Sequence, residues 1–345
     1  MKKIGVIIGT EDEPVSQKYY KENKKILDVL QEYDIYDDYI PYDYAIFAEI
    51  KAYAEKNGFT VVPLFGKTFT LKEANECDFI LSIFEGVYSF MNGKYPGYQR
   101  YMNILKRTKA TVFPSQKMQE FVINKHKYLT YFHKKGYNIT PTKFVNLNNY
   151  SIKSIMAFIK KNNFNEIIVK PELGAFKTGF KIIRNVTQKK VTDYLTSLKK
   201  KGFKRILVQE FIPEFNKFGE IKTYWINGKN LYSYKQQWEG GEGVFQPQDK
   251  IEKGLLDECL KTGEALLKDI FKDHEPLIQC RVDFACCMNN DKRCRDFFIN
   301  EIEICPTIGE QESNGKSYKL LAKELVNYCS NNDSKLTSFQ TALGE

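Results

Sequence analysis

The sequence predicts a mixed α/β (α+β) protein of two or three lobes. It opens on a small sheet covered by helices and closes on consecutive strands that carry an acidic hairpin. Three observations predict this. At 345 residues the chain is longer than a single core usually serves. Its first third alternates strand and helix, the pattern of an open sheet with helices on its faces. Beyond Arg205 strand-like runs follow one another directly, as in an antiparallel sheet. Hydrophobic residues at 42% and aromatics at 14% fit a globular chain rather than a disordered one.

In order, KIGVIIG (Lys3 to Gly9) reads as a buried strand followed by the polar loop TEDEP. An amphipathic helix is predicted over Val15 to Glu32, and a second over Tyr42 to Lys56, stopped by Asn57-Gly58. FTVVPLF and DFILSIF are the next strands. A helix over Pro96 to Lys106 leads to the short strand ATVFP, and Ser115 caps a helix reaching Lys135. KFVNL begins a new lobe, with a helix over Ser151 to Asn162. The segment EIIVKPELGAFKTGFKII then reads as strand, Gly-containing loop and strand. After a helix over Thr187 to Lys201 come RILVQEFI, GEIKTYWI and LYSYKQQW as three strands. A long helix over Gly254 to Phe271 precedes the acidic hairpin. Tyr318 to Cys329 is a closing helix, and the end of the chain is a loosely held tail. In an open sheet of the first kind ligands sit at the carboxyl ends of the strands, here the loops after Gly9 and Phe84.

The formal charge of +9 is spread as lysines along the whole chain, which suits an anionic ligand, and no dense basic block points to nucleic acid. No apolar run is long enough to span a membrane, and the first ten residues turn polar too soon for a signal peptide. The eight cysteines include no C-x-x-C pair and sit at strand positions, so buried reduced thiols and a cytoplasmic protein are expected rather than a zinc site. The three histidines form no ligating pair or triad.

The stretch richest in chemistry is QCRVDFACC…DFFINEIEICP (Gln279 to Pro306). Side chains alternate along a strand. Arg281 and Asp283 therefore share one face of the first strand, and Glu301 and Glu303 share one face of the second. If the strands pair, one wall holds three carboxylates and an arginine. Such a wall is either a solvated charged face or a seat for hard divalent cations, which take oxygen ligands alongside phosphates.

Lys170 ends the apolar strand IIV and is followed at once by ELGAFKTG. A lysine there can bridge phosphate oxygens, and Gly174 and Gly179 let backbone N–H groups curl toward an anion, although a plain turn has the same composition. In VQEFIPEF the strand end at Phe211 and Ile212 can hold a purine edge, with Glu210 accepting from an amine and Glu220 from ribose hydroxyls. An ordinary strand with outward acids reads the same way.

The order of these pieces is less ordinary than any one of them. NKHKYL (124–129), IIVKPELGAFKTG (167–179), VQEFI (208–212), CRVDF (280–284) and NEIEICP (300–306) together resemble the ATP-grasp superfamily over roughly residues 96 to 330. Lys125, eleven residues before Gly136 and sixteen before Pro141, is spaced as in D-alanine–D-alanine ligases. The QEFI block is more similar to the glutathione-synthetase and glutamate-adding branches. The resemblance implies an ATP-grasp fold behind an N-terminal open α/β domain (1–115), with a central lid subdomain (116–205), a C-terminal metal-bearing subdomain (206–335) and a tail (336–345). It implies that Lys125 and Lys170 contact ATP phosphates under the loop Glu172 to Gly179. Glu210, Phe211 and Ile212 would hold adenine, and Glu220 the ribose. Asp283, Glu301 and Glu303 would bind two Mg²⁺, with Lys222, Lys235 and Arg281 facing the transferred phosphoryl or acyl group. Departures are Glu303 where many relatives carry Asn, and Glu220 and Lys222 in place of Asp and Arg. Lys127 is an alternative to Lys125.

The activity so implied is an ATP-dependent carboxylate–amine ligase working through an acylphosphate, with small-molecule acid and amine as partners and a possible homodimer. The alternatives are a small-molecule kinase of the same fold, such as an inositol-phosphate kinase, and an ATP-binding regulatory protein with little catalysis.

Overall fold

Four parallel strands open the chain, in the order β2-β1-β3-β4: β1 (Lys2–Ile8), β2 (Phe59–Phe65), β3 (Phe79–Ser82) and β4 (Thr111–Phe113). This is seen in a computed structural model that describes residues 1–9, 14–33, 39–83, 95–173, 178–239, 242–287, 297–304 and 315–331. Parallel strands are covered on both faces, which is why β1 is apolar almost throughout and buried from Ile4 to Ile8. One face packs on the Tyr42–Lys56 helix, whose Ala45, Ile46, Phe47 and Ile50 are fully buried. The closing helix, Lys316–Ser330, lies along it. There Tyr318 meets Tyr19 edge-on with ring centroids 4.9 Å apart. Tyr19 donates to Glu49 at 2.8 Å, satisfying a carboxylate buried between the helices.

The second sheet is wholly antiparallel, in the order β5-β8-β6-β7: β5 (Thr142–Asn146), β6 (Ile167–Pro171), β7 (Lys181–Ile183) and β8 (Arg205–Glu210). Helices Ile152–Lys161 and Gln188–Lys200 pack on one face and enclose a separate core of Val145, Ile155, Val169, Leu195 and Val208. β8 pairs with β5 and β6, so a boundary drawn at residue 206 falls inside this sheet. Strand pairing, which sequence order does not display, decides the unit here.

The third sheet has the order β11-β10-β9-β12-β13: β9 (Glu220–Ile226), β10 (Lys229–Glu239), β11 (Glu242–Pro247), β12 (Gln279–Cys286) and β13 (Phe297–Glu303). Its back faces the 21-residue helix Lys253–Asp273. Gly263 of that helix lies so close to Trp225 that a Cβ would sit 2.7 Å from the indole. β11 and the short helix Pro213–Phe218 have no counterpart in the sequence reading.

Two predicted helices are each divided. Val15 to Glu32 becomes Gln17–Glu22, Lys24–Leu27 and a 3₁₀ turn over Asp28–Tyr33. The helix after Ser115 is Gln116–Ile123 and then Lys125–Lys134. In the second case Asn124 takes extended dihedrals and its Oδ1 accepts from the N–H groups of His126 and Lys127, at 2.9 and 3.1 Å. The helix restarts on a fresh cap, and Lys125 becomes its first residue. Among the described residues no helix is long and apolar enough to cross a membrane. Six cysteines, 77, 259, 280, 286, 287 and 329, are buried free thiols.

A candidate nucleotide and metal site

The front of the third sheet carries the charge. β12 and β13 pair so that Arg281 faces Glu303 and Asp283 faces Glu301, while β9 places Lys222 beside Asp283 on the other side. Ligand oxygens of Asp283, Glu301 and Glu303 all lie within 4.8 Å of one another. Arg281 grips Asp283 through Nε and one Nη at 2.6 and 2.7 Å, and that Nη also reaches Glu303 at 2.6 Å. Lys222 bridges Asp283 at 2.7 Å and Glu220 at 2.9 Å. Lys125, 7% exposed, reaches Glu301 at 3.1 Å.

Four acids and two bases of the sheet, with Lys125 reaching in from its helix, are thus gathered at one wall. Burial alone would push the Asp283 carboxyl up, but Arg281 and Lys222 outweigh it and hold the group below its usual range. Glu301 is likewise held low against burial by Lys125 and Lys170. Glu303, with burial and the charges of Asp283 and Glu301 against it, is pushed up to about 7 despite Arg281 and Lys222. Glu220 is raised by burial despite its contact with Lys222. Burial and Arg281 oppose the charge on Lys222, yet Asp283 and Glu220 carry its value upward. The donor set is all carboxylate oxygen, which fits a hard cation such as Mg²⁺.

The sequence reading missed Asn300. The register of β12 and β13 shifts between Asp283 and Phe284. The amide of Asn300 donates to Glu220 at 2.7 Å instead of turning behind the sheet with Ile302. A bulge leaves one residue outside strict alternation, and alternation was the only signal available.

The facing cations are Lys170 on the second sheet and Lys125 at the start of its helix. Lys170 lies on the face of β6 turned away from its own sheet's core, half-buried. Burial, and then the charge of Lys125, lowers it to about 8 against the pull of Glu301 and Glu220. Lys127 instead pairs with Glu120 at 2.6 Å, so Lys125 is the lysine brought to the carboxylates. Gly179 has φ +73 and packs where a Cβ would meet the Pro171 ring at 2.7 Å, and its carbonyl accepts from the Tyr194 hydroxyl. Gly174 lies outside the described residues, as do most of TEDEP and the whole of EGVYSF.

Two predicted residues stand elsewhere. Lys235 pairs with Ile221 and so projects from the back of the sheet; Tyr232, Tyr234 and Gln236 occupy the charged face instead. A register shift between Asn230 and Tyr232 sets this phase, and the sequence of β10 alone does not reveal it. Glu210 lies opposite Ile167 on the phase of Val208, whereas Gln209 shares the face of Lys170 and is held by Thr142 at 2.8 Å. Next to it the Phe211 N–H donates to the Glu166 carbonyl at 3.0 Å. Ile212 packs with Ala285 and Phe298, which joins the second sheet to the charged wall of the third. Glu172 is 6% exposed, with its carboxylate on Arg205 and His126.

With that geometry established, solved structures offer a match over nearly the whole chain. D-cycloserine synthetase DcsG aligns with a TM-score of 0.65 at 13% identity, covering 94% of this chain and 99% of its own. D-alanine–D-alanine ligase from Bacillus anthracis, complexed with ATP, aligns at 0.57 and 15%, covering 95% and 97%. The ATP-grasp ligase PsnB, complexed with a minimal precursor, aligns at 0.53 and 12%, covering 94% and 99%. No protein-family model and no curated protein matches the sequence. At these identities the likeness speaks to fold, and the fold is ATP-grasp, as the order of the five motifs implied.

Proposed function

We propose that the protein is an ATP-dependent carboxylate–amine ligase whose nucleotide lies between the second and third sheets. The observation that carries this reading is the wall of Asp283, Glu301 and Glu303, faced by Lys170 of the second sheet and by Lys125 at the start of its helix. Carboxylates and lysines in that opposition suit a metal-bound triphosphate. Asp283 and Glu301 would hold Mg²⁺, with Glu303 as third ligand, and the metal would neutralise charge on the phosphoryl oxygens during in-line transfer. Adenine would use the Phe211 carbonyl and the Ile212 N–H, since the Phe211 N–H is already taken. Glu220 fits a ribose contact less directly, because its two oxygens hold Asn300 and Lys222.

A free carboxylate is a poor electrophile, so a ligase activates it as an acylphosphate before an amine attacks. Arg281 is suited to the oxyanion of that attack. Its bonds to Asp283 and Glu303 use Nε and one Nη, and its other Nη makes neither. The ATP and the precursor named with the solved neighbours agree with this reading. Incubating the protein with MgATP and pooled amino acids, peptides and inositol phosphates, followed by phosphorus NMR and mass spectrometry, tests it. Free phosphate together with a new amide is expected. Phosphate retained on an organic product would replace the ligase reading with the kinase, and nucleotide binding without turnover would replace it with the binding protein.

A further inference from the structure

Lys125 is held at both ends by different sheets, and the residue that holds its backbone is Glu172. The Lys125 N–H donates to the Glu172 carbonyl at 3.2 Å, and the Glu172 N–H donates to the Arg205 carbonyl at 3.1 Å, extending the β6–β8 ladder by one step. The Glu172 carboxylate lies 3.3 Å from an Arg205 Nη and 3.4 Å from His126 Nδ1. The His126 ring in turn packs on Phe144 of β5, centroids 4.1 Å apart and tilted 34°. The first turn of the Lys125–Lys134 helix is thereby fastened to the second sheet through a backbone bond, a side-chain pair and a ring contact. The ammonium of Lys125 meanwhile reaches across to Glu301 on the third.

We propose that Glu172 is a positioning residue: it touches no phosphate itself, but fixes the start of the helix from which Lys125 reaches the anion. This rests on the nucleotide reading above. A lysine is a point charge on a flexible four-carbon stem, so its ammonium is placed no better than its Cα. An error of about 1 Å in such a group can cost up to about a hundredfold in rate. Glutamine at 172 still offers an acceptor to Arg205 and His126. Alanine removes the side-chain anchor and leaves the backbone bond and the ring contact.

The test is a double-mutant cycle on MgADP affinity, measured by titration calorimetry on the full chain. It compares the parent protein, Glu172→Ala, Glu172→Gln, Lys125→Met and the Glu172→Ala/Lys125→Met pair, each first checked by thermal melting. Glu172→Ala is expected to weaken MgADP about tenfold and Glu172→Gln by less. The pair should bind no more than about twofold more weakly than Lys125→Met alone, because the anchor has nothing left to position. Losses that multiply in the pair would overturn the proposal, since a residue that only stabilises the fold acts independently of Lys125. Unchanged affinity in Glu172→Ala would overturn it as well. If Glu172→Ala does not fold, Glu172→Gln takes its place in the same cycle. Failure of the parent protein to bind MgADP would overturn the nucleotide reading itself, and this proposal with it.

Discussion

The second and third sheets face the same site with opposite designs. The second encloses its own apolar core between sheet and helices, and presents its cations one at a time on the outer face and rim. The third places its apolar side against the Lys253–Asp273 helix and concentrates acids and bases on the other side, where every carboxylate is already held by a cation. Burying that much charge is not an efficient route to stability, because desolvation offsets much of the attraction. The second sheet is thus built around its own core, while the third, on the proposed reading, holds charge in place for a ligand.

The largest effect expected from breaking the comparison lies on the third sheet. Asp283→Asn or Glu301→Gln should abolish turnover, a loss of at least about a thousandfold, with the circular dichroism spectrum unchanged. Normal activity in both would remove the metal assignment. Next is Arg281→Met, which leaves buried Asp283 and half-buried Glu303 without their guanidinium. It should lower stability by about 3–5 kcal/mol in denaturant melts, and Mg²⁺ should restore part of the loss by taking the arginine's place. In the core behind the second sheet, on the helix Gln188–Lys200, Leu195→Ala at a fully buried position should cost about 2–5 kcal/mol through cavity formation. Activity per folded molecule should stay near normal there, and a loss of turnover without a loss of stability would blur the division between the sheets.

The smallest effect is a pH dependence. Lys170 is lowered to about 8, so below pH 8 it is charged without a ligand and above pH 8 it is neutral. A triphosphate favours the charged form, so binding above pH 8 takes up a proton. Affinity should therefore be about tenfold weaker at pH 9 than at pH 7. Lys170→Arg should flatten that profile, and an unchanged slope in the variant would assign the titration to another group.

What the sequence revealed and what it hid separate along physical lines. The facing of Arg281, Asp283, Glu301 and Glu303 was legible because strand alternation is strict over short stretches and the hairpin partners are near in sequence. Asn300 was hidden by a bulge. The direction of Lys235 was hidden by a register that depends on a shift elsewhere in β10. The parting of the helix at Asn124 had a visible capping residue, but a continuous apolar pattern on both sides masked it. Glu172 was legible as part of a loop beside a lysine. Its partners Arg205 and His126 come from segments whose approach only the folded chain shows.

On the proposed reading the acidic wall of the third sheet, Lys170 of the second and Lys125 of the neighbouring helix form one metal–nucleotide site. It is tested most directly by titrating the parent protein and Asp283→Asn with ATP, each with Mg²⁺ and with EDTA. Tight binding is expected only for the parent with Mg²⁺, with weakening of at least about tenfold in the other three arms. Equal affinity in all four would contradict it.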